Sequence, residues 1–166
     1  MPANKELVGR MERYTHTFEY TVYHRDELPQ SLDALVEAAS EATGLAYAPY
    51  SKFNVGAAAR LEGGTLVRAA NLENAAYPQC LCAEATLLGT LHTQYYKQRV
   101  EAIAVAVNAV VAPTEPAAPC GSCRQQLFEA ELRQSSPIEI VLVGHEKSLA
   151  FKRVADLLPF GFQLLV

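Results

Sequence analysis

The chain lacks an apolar run long enough to cross a membrane, and it lacks the features of a secretory signal. Its longest mainly apolar run, residues 103–112, is interrupted by Asn108 and is far shorter than the roughly 20 residues that a bilayer requires. Residues 1–11 carry charges of both signs and have no apolar core of the kind found in signal peptides. These absences predict a cytoplasmic protein with no membrane partner.

Positive charge is also scarce. The chain has 14 lysine and arginine residues against 18 aspartate and glutamate residues, which gives a net charge of −4 and a pI of about 5.6. No cluster of basic residues offsets this balance, so the chain lacks the electrostatic signature of nucleic-acid-binding proteins. We therefore expect a small-molecule substrate and no nucleic-acid partner.

The chain otherwise has the composition of an ordinary globular domain. Half of its 166 residues are hydrophobic and 19% are charged, and it contains no internal repeat or low-complexity linker. Its four cysteines need a separate explanation. In a chain expected to be intracellular, cysteines are more often metal ligands, catalytic groups or free thiols than disulfide partners.

Hydrophobic periodicity predicts an α/β fold. Helices are predicted over residues 32–47, 82–96 and 119–132, and strands over residues 53–61, 65–72, 102–107 and 138–143. The order α-β-β-α-β-α-β implies a three-layer α-β-α sandwich with a mixed sheet.

The remaining segments are less regular. Residues 1–30 are predicted to be an N-terminal extension, in which residues 17–23 have enough alternation for one added strand, and residues 31–166 are predicted to form the main domain. Residues 109–119 contain three prolines and are predicted to be a loop. The last 20 residues are predicted to give a turn, a short helix over residues 154–158 and an apolar tail.

Three cysteines and one glutamate are the candidate metal-binding and catalytic residues. Cys120 and Cys123, at a predicted helix start, can chelate one ion, and Cys82, at the start of another helix, can add a third sulfur. Catalytic zinc takes three protein ligands and keeps its fourth position open for water. Glu84, two residues after Cys82, is suited to move the protons of that water. We therefore predict a catalytic zinc site with Glu84 as the catalytic residue.

A closed structural zinc site is the alternative. Cys80 could add a fourth thiol, and the chain would then be a non-catalytic, zinc-stabilised binding protein. Two observations favour the open site: Cys80 falls on the loop before the helix, and Glu84 would have no role beside a closed site. For Cys80 itself we prefer a free, partly buried thiol.

Three thiolates carry one more negative charge than Zn²⁺ neutralises. Arg124 directly follows Cys123 and is predicted to donate hydrogen bonds to the sulfurs, which would restore the acidity of a bound water. None of the four histidines has ligand spacing to another metal-binding group.

Five motifs of the sequence resemble, in order, those of the zinc-dependent cytidine deaminases of the small, homotetrameric, three-cysteine type. The resemblance covers about residues 31–160 and includes the general zinc deaminase signature, Cys-x-Glu followed by Pro-Cys-x-x-Cys. The motifs are Tyr50-Ser51-Lys52-Phe53-Asn54-Val55-Gly56-Ala57-Ala58, Asn71-Leu72-Glu73-Asn74-Ala75-Ala76-Tyr77, Cys82-Ala83-Glu84, Pro119-Cys120-Gly121-Ser122-Cys123-Arg124-Gln125 and Leu157-Leu158-Pro159.

The resemblance implies a mixed five-stranded sheet, an activity and an assembly. The activity is hydrolytic deamination of cytidine and 2′-deoxycytidine to uridine and 2′-deoxyuridine plus ammonia, in pyrimidine nucleoside salvage. The implied mechanism uses one Zn²⁺ per subunit, a zinc-bound hydroxide that attacks the amine-bearing carbon, and Glu84 as the proton shuttle. The implied assembly is a homotetramer.

The resemblance also implies substrate contacts. Asn71 and Glu73 would bind the sugar hydroxyls, and their spacing of two at a strand end places both side chains on one side. Phe53 would pack near the nucleoside, and the main chain near Ala83 and Cys120 would contact the base. Tyr77 would lie at a subunit interface close to a neighbour's site.

The sequence departs from the family pattern in three places. Ala85 stands where family members commonly have arginine, so Arg124 would have to supply more of the support for the metal cluster. The tail lacks the usual Phe-Gly-Pro-x-x-Leu ending, so either Phe160 or Phe162 would be the aromatic that reaches a neighbouring site. The first 30 residues have no obvious family counterpart.

Two other activities fit the same fold. One is deamination of a cytosine-bearing antibiotic such as blasticidin S, although the pair Asn71 and Glu73 favours a nucleoside. The other is deamination of a nucleic acid, which would need a cationic groove and stacking aromatic residues for a strand. The acidic pI argues against the second.

Overall fold

The computed structural model describes residues 4–8, 11–109 and 115–164. Its longest elements are three helices and eight strands. The helices are α1 (Gln30–Ala42), α2 (Ala83–Gln94) and α3 (Gly121–Gln134). The strands are β1 (Asn4–Val8), β2 (Met11–Thr15), β3 (Thr21–His24), β4 (Phe53–Leu61), β5 (Leu66–Ala70), β6 (Val100–Ala109), β7 (Glu139–Val143) and β8 (Lys147–Phe151). Within these residues, no helix has the length and apolarity needed to cross a membrane.

The predicted three-layer α/β fold is confirmed. Six strands form one mixed sheet in the order β3-β8-β7-β6-β4-β5, while β1 and β2 form a separate hairpin. Strands β6 and β7 are parallel, and α3 makes the crossover that a parallel pair requires. Helix α1 covers one face of the sheet, and helices α2 and α3 cover the other.

Strand β6 shows how the sheet is buried on both faces. Ile103 and Val105 join the core beneath α2 and α3, whereas the alternating alanines of β6 join the core beneath α1. This alternation follows from the period of two in a strand. The continuous apolar run predicted a strand covered on both faces, and its side chains are buried as expected.

Helix α1 approaches the sheet so closely that Gly56 of β4 has no room for a side chain. A Cβ at Gly56 would collide with the Ala39 carbonyl oxygen and lie 2.5 Å from the Thr43 nitrogen. These are backbone atoms, so the helix itself would have to move.

We expect the substitution Gly56→Ala to lower the free energy of unfolding by about 1–3 kcal/mol, because the core becomes overpacked. The matched control is Gly89→Ala in α2, where a Cβ would meet nothing within 4 Å. The control should raise stability by about 1 kcal/mol through helix propensity. Urea unfolding measures both, and equal values for the two variants would contradict this packing.

The sheet is wider at one edge than the sequence indicates. Residues 147–151 were predicted to be part of a turn, but they form β8, which pairs antiparallel with β7. The predicted added strand exists as β3, although it begins at Thr21, and it pairs antiparallel with β8. Tyr20 stacks on Phe151 of β8 with ring centroids 5.4 Å apart, so the extension also contributes side-chain packing at this edge.

Two predictions about short segments are confirmed in the described residues. Gly63 and Gly64 adopt positive φ angles of 89° and 88° in the turn between β4 and β5, a conformation that favours glycine. The predicted short C-terminal helix is a 3-10 turn at Val154–Leu157. The predicted loop at residues 109–119 lies partly outside the described residues.

Buried Glu131 fixes the end of α3. Its carboxylate accepts the main-chain N–H groups of Ile138 and Val154 at 2.8 Å each and that of Ala155 at 3.2 Å. These bonds tie α3 to the start of β7 and to the Val154–Leu157 turn. The sequence alone does not indicate this role of Glu131, because the three N–H groups that it accepts lie 7, 23 and 24 residues further along the chain.

Candidate metal centre and substrate cavity

Two helix N-termini bring three sulfurs together. Cys82 directly precedes α2, Cys120 directly precedes α3, and Cys123 lies in the first turn of α3. Their Sγ atoms all lie within 4.8 Å of one another. Tetrahedral zinc with Zn–S bonds of about 2.3 Å needs sulfurs about 3.8 Å apart, so the three thiols fit one zinc ion.

Cys80 lies outside this group of three sulfurs. The Cys80 Sγ accepts the Asn74 N–H at 3.2 Å and donates to the Asn74 carbonyl oxygen at 3.6 Å. Its thiol is therefore engaged with the loop that precedes it. This geometry favours a three-thiol site over the closed four-thiol alternative.

The electrostatics of the thiols fit a bound cation. Burial raises the pKa of the Cys82 and Cys123 thiols, and the nearby charge of Glu84 raises both further. The pKa of Cys120 is lowered, chiefly by the main-chain N–H of Cys123. A divalent cation among the sulfurs would favour all three thiolates, since metal binding displaces thiol protons. A donor set of three thiols is one that zinc prefers.

Glu84 is buried beside the sulfurs. It lies in the first turn of α2 and is only 4% exposed. Burial raises the pKa of its carboxyl group, while hydrogen bonds from its own backbone N–H and from the Cys123 thiol oppose that shift. The predicted catalytic glutamate therefore has a carboxyl group held close to the predicted ligands and shielded from solvent.

A cavity of about 460 Å³ opens onto this group. Its size falls in the range of small-molecule sites. The predicted metal and catalytic residues Cys82, Cys120 and Glu84 form part of its wall. Four predicted substrate contacts also line it: Phe53, Asn71, Glu73 and Ala83.

Asn71 uses its side chain to hold β4. Its Oδ1 accepts the Val55 N–H at 2.8 Å, and its Nδ2 donates to the Phe53 carbonyl oxygen at 2.9 Å. One N–H of the amide is left for a ligand, because Nδ2 carries two. The sequence predicted where Asn71 lies but not these bonds to the main chain.

Glu73 is anchored in a similar way. Its Oε2 accepts the Tyr50 N–H at 2.9 Å and the Ser51 N–H at 3.3 Å. The pKa of Glu73 is lowered, first by the Ser51 hydroxyl and further by the same two N–H groups. The carboxylate is therefore held ionised at the cavity wall.

Two predicted site residues, Tyr77 and Arg124, lie outside the wall of this cavity. Tyr77 does not line the cavity; it is 70% exposed and packs edge-on against Tyr50, with ring centroids 6.1 Å apart. The Arg124 Nε donates to the Pro119 carbonyl oxygen at 2.9 Å and its Nη1 to the Leu157 carbonyl oxygen at 3.2 Å. Arg124 thus holds main-chain carbonyls around α3, where we had predicted bonds to the sulfurs.

The two tail aromatics, Phe160 and Phe162, are exposed. Phe160 is 99% exposed and has a φ of 59°. The main chain of Phe162 is held by the amide of Gln125, through bonds of 3.0 Å to Oε1 and 2.9 Å from Nε2. Neither ring lines the cavity described above.

Comparisons with known proteins identify the class that this fold and site define. Residues 29–136 match the family model described as the cytidine and deoxycytidylate deaminase zinc-binding region. A cytidine deaminase of Halalkalibacterium halodurans is 39% identical over 129 residues, covering 77% of this chain and 91% of the relative. One of Mycobacterium tuberculosis is 35% identical over 129 residues, covering 76% of this chain and 85% of the relative.

Solved structures agree with the sequence relatives. The crystal structure of cytidine deaminase from Burkholderia pseudomallei matches with a TM-score of 0.65 and 39% identity, covering 78% of this chain and 97% of that one. That from Mycobacterium tuberculosis matches with a TM-score of 0.61 and 34% identity, covering 80% and 97%. The fold and site therefore define a zinc-dependent hydrolytic deaminase. The chain belongs to the cytidine and deoxycytidylate deaminase family.

Proposed function

We propose that this protein hydrolyses cytidine and 2′-deoxycytidine to uridine and 2′-deoxyuridine with release of ammonia, in cytoplasmic pyrimidine nucleoside salvage. The observation that carries this proposal is one cavity whose wall includes two of the three clustered thiols, the buried glutamate and the pair Asn71 and Glu73. The substrate named for the relatives supports it. A reducing compartment such as the cytoplasm keeps zinc-binding thiols free of disulfides.

The metal ligands in this proposal are Cys82, Cys120 and Cys123, which hold one zinc ion per subunit. Bound zinc would supply a Lewis acid that lowers the pKa of a water molecule at its open position. The three thiols leave that position free because Cys80 is engaged with Asn74. Arg124 supports the site indirectly, by fixing the main chain just before α3 and at the Val154–Leu157 turn.

Glu84 is the proton carrier. Its carboxylate takes a proton from the attacking water and gives it to the ring nitrogen N3. It then takes the second proton from the new hydroxyl group at C4 and gives it to the leaving amino group. The oxygen of water ends at C4 of the pyrimidine, and ammonia departs. Burial raises the pKa of Glu84, which makes its carboxylate a stronger base than that of an exposed glutamate.

The other cavity residues orient the nucleoside. Phe53 packs against it, the main chain at Ala83 contacts the base, and Asn71 and Glu73 bind the sugar hydroxyls. Among the described residues, no lysine or arginine lines the cavity, and Glu73 adds negative charge at its wall. A 5′-phosphate would be repelled there, so the free nucleoside is the favoured substrate.

We further propose a homotetramer in which Tyr77, and either Phe160 or Phe162, lie near a neighbouring subunit's site. Exposed apolar side chains near the cavity support an interface at this place, since monomers rarely expose large apolar patches. These side chains are Tyr47, Tyr50, Leu72, Tyr77 and Leu81. Residues 31–166 would form the deaminase domain, and residues 1–30 an extension that adds β3 to the sheet.

Incubation of the zinc-loaded protein with cytidine tests the proposal directly. We expect ultraviolet absorbance to fall as uridine forms, with 2′-deoxycytidine also consumed. Cytidine 5′-monophosphate should react at least about 100-fold more slowly in kcat/KM, because its charge is not matched by the cavity. No turnover of cytidine would refute the proposal, and faster turnover of blasticidin S would favour the antibiotic alternative.

A further inference from the structure

Ser51 is one of the residues that form the wall of the cavity. It belongs to the segment between α1 and β4, and it lines the cavity together with Phe53 and Glu73. Its place in the motif of residues 50–58 does not by itself indicate a role.

Ser51 contacts both neighbours. Its Oγ accepts the Phe53 N–H at 3.0 Å, and its own N–H donates to the Glu73 Oε2 at 3.3 Å. A hydroxyl that accepts one bond keeps its hydrogen for another acceptor. Ser51 therefore connects the residue proposed to pack on the nucleoside with the carboxylate proposed to bind its sugar.

The backbone beside Ser51 needs such support. Lys52 has a φ of 58°, in the left-handed region, which costs a residue other than glycine about 1 kcal/mol or more. The Lys52 N–H bonds the Ala48 carbonyl oxygen at 3.1 Å, which closes the turn on one side. The bonds of Ser51 and Tyr50 to Glu73 hold the other side.

We propose that Ser51 is a positioning residue that fixes the Glu73 carboxylate and the Phe53 main chain relative to each other at the sugar end of the cavity. This inference rests on the proposed function of the site, because it takes Glu73 as a sugar contact. The lowered pKa of Glu73, to which the Ser51 hydroxyl contributes most, supports it. Lys52 is the charged group that acts on the same carboxylate.

The kinetic test compares Ser51→Thr with Ser51→Val, which match in shape and differ only in the hydroxyl group. For cytidine we expect Ser51→Val to raise KM about 10-fold with kcat within about twofold of wild type, since the variant loses the hydroxyl that accepts the Phe53 N–H and lowers the pKa of Glu73. Ser51→Thr should keep a near wild-type KM. The control Ser40→Ala removes a hydroxyl bonded to the Val36 carbonyl in α1 and should change neither constant. Equal KM values for the Thr and Val variants would overturn the inference.

A second readout does not depend on turnover. In protein with ¹³C-labelled glutamate carboxyl groups, we expect the NMR titration midpoint of Glu73 to rise in Ser51→Val and to stay unchanged in Ser51→Thr. An unchanged midpoint in Ser51→Val would overturn the inference even if cytidine is turned over. A raised midpoint in a protein that leaves cytidine unchanged would support the coupling of Ser51 to Glu73 and refute the proposed function alone.

Discussion

Replacement of Glu84 by glutamine should lower kcat for cytidine by at least about 10³-fold while leaving zinc at one ion per chain. The amide has nearly the shape of the carboxyl group but can neither accept nor deliver the proton, and a positioned acid–base group contributes roughly 10²–10⁴-fold. Zinc should stay because its proposed ligands are the three thiols. Elemental analysis and the ultraviolet assay on the same sample measure the two quantities together.

The matched control for that experiment is Glu41→Gln. Glu41 is exposed and forms a surface ion pair with Arg68 at 2.7 Å, and such pairs contribute little to stability. Its replacement should change neither zinc content nor kcat by more than about twofold. A Glu84→Gln variant that keeps more than a tenth of wild-type kcat would contradict the role given to Glu84.

Replacement of Cys82 by alanine should remove both zinc and activity, whereas replacement of Cys80 by alanine should remove neither. The two residues are separated by one position, yet only Cys82 has its sulfur within 4.8 Å of the other two thiols. A site left with two thiols loses the closed chelate that holds zinc tightly, so we expect zinc below about 0.1 ion per chain after dialysis.

Cys80→Ala serves as the control because it removes a neighbouring thiol from the same loop. It should lose only the contacts with Asn74. If Cys80→Ala also loses its zinc, the closed four-thiol site is the correct description and the deaminase mechanism fails.

The metal centre could be predicted from the sequence because its proposed ligands lie at the starts of two predicted helices. Cys120 and Cys123 lie on one helical turn, and Cys82 and Glu84 lie on another, so short spacings already encode most of the geometry. The layered fold could also be predicted from the sequence, since the buried strand β6 and the amphipathic helix α1 have clear apolar patterns.

The features that the sequence did not predict depend instead on tertiary contacts. Arg124 was expected to bond the sulfurs, whereas its guanidinium group donates to the carbonyl oxygens of Pro119, five residues earlier, and Leu157, in a distant turn. Strand β8 was expected to be a turn because its five residues carry little pattern without the neighbours β3 and β7 that pair with it. The anchoring of Asn71 and Glu73 by main-chain N–H groups likewise depends on tertiary contacts that no spacing reveals.

Zinc-edge X-ray absorption on the wild-type protein is the most direct test of the account, which requires an open coordination position next to Glu84. We expect three sulfurs at about 2.3 Å and one oxygen at about 2.0 Å from the metal. Four sulfurs around the zinc would leave no position for water and would contradict the account.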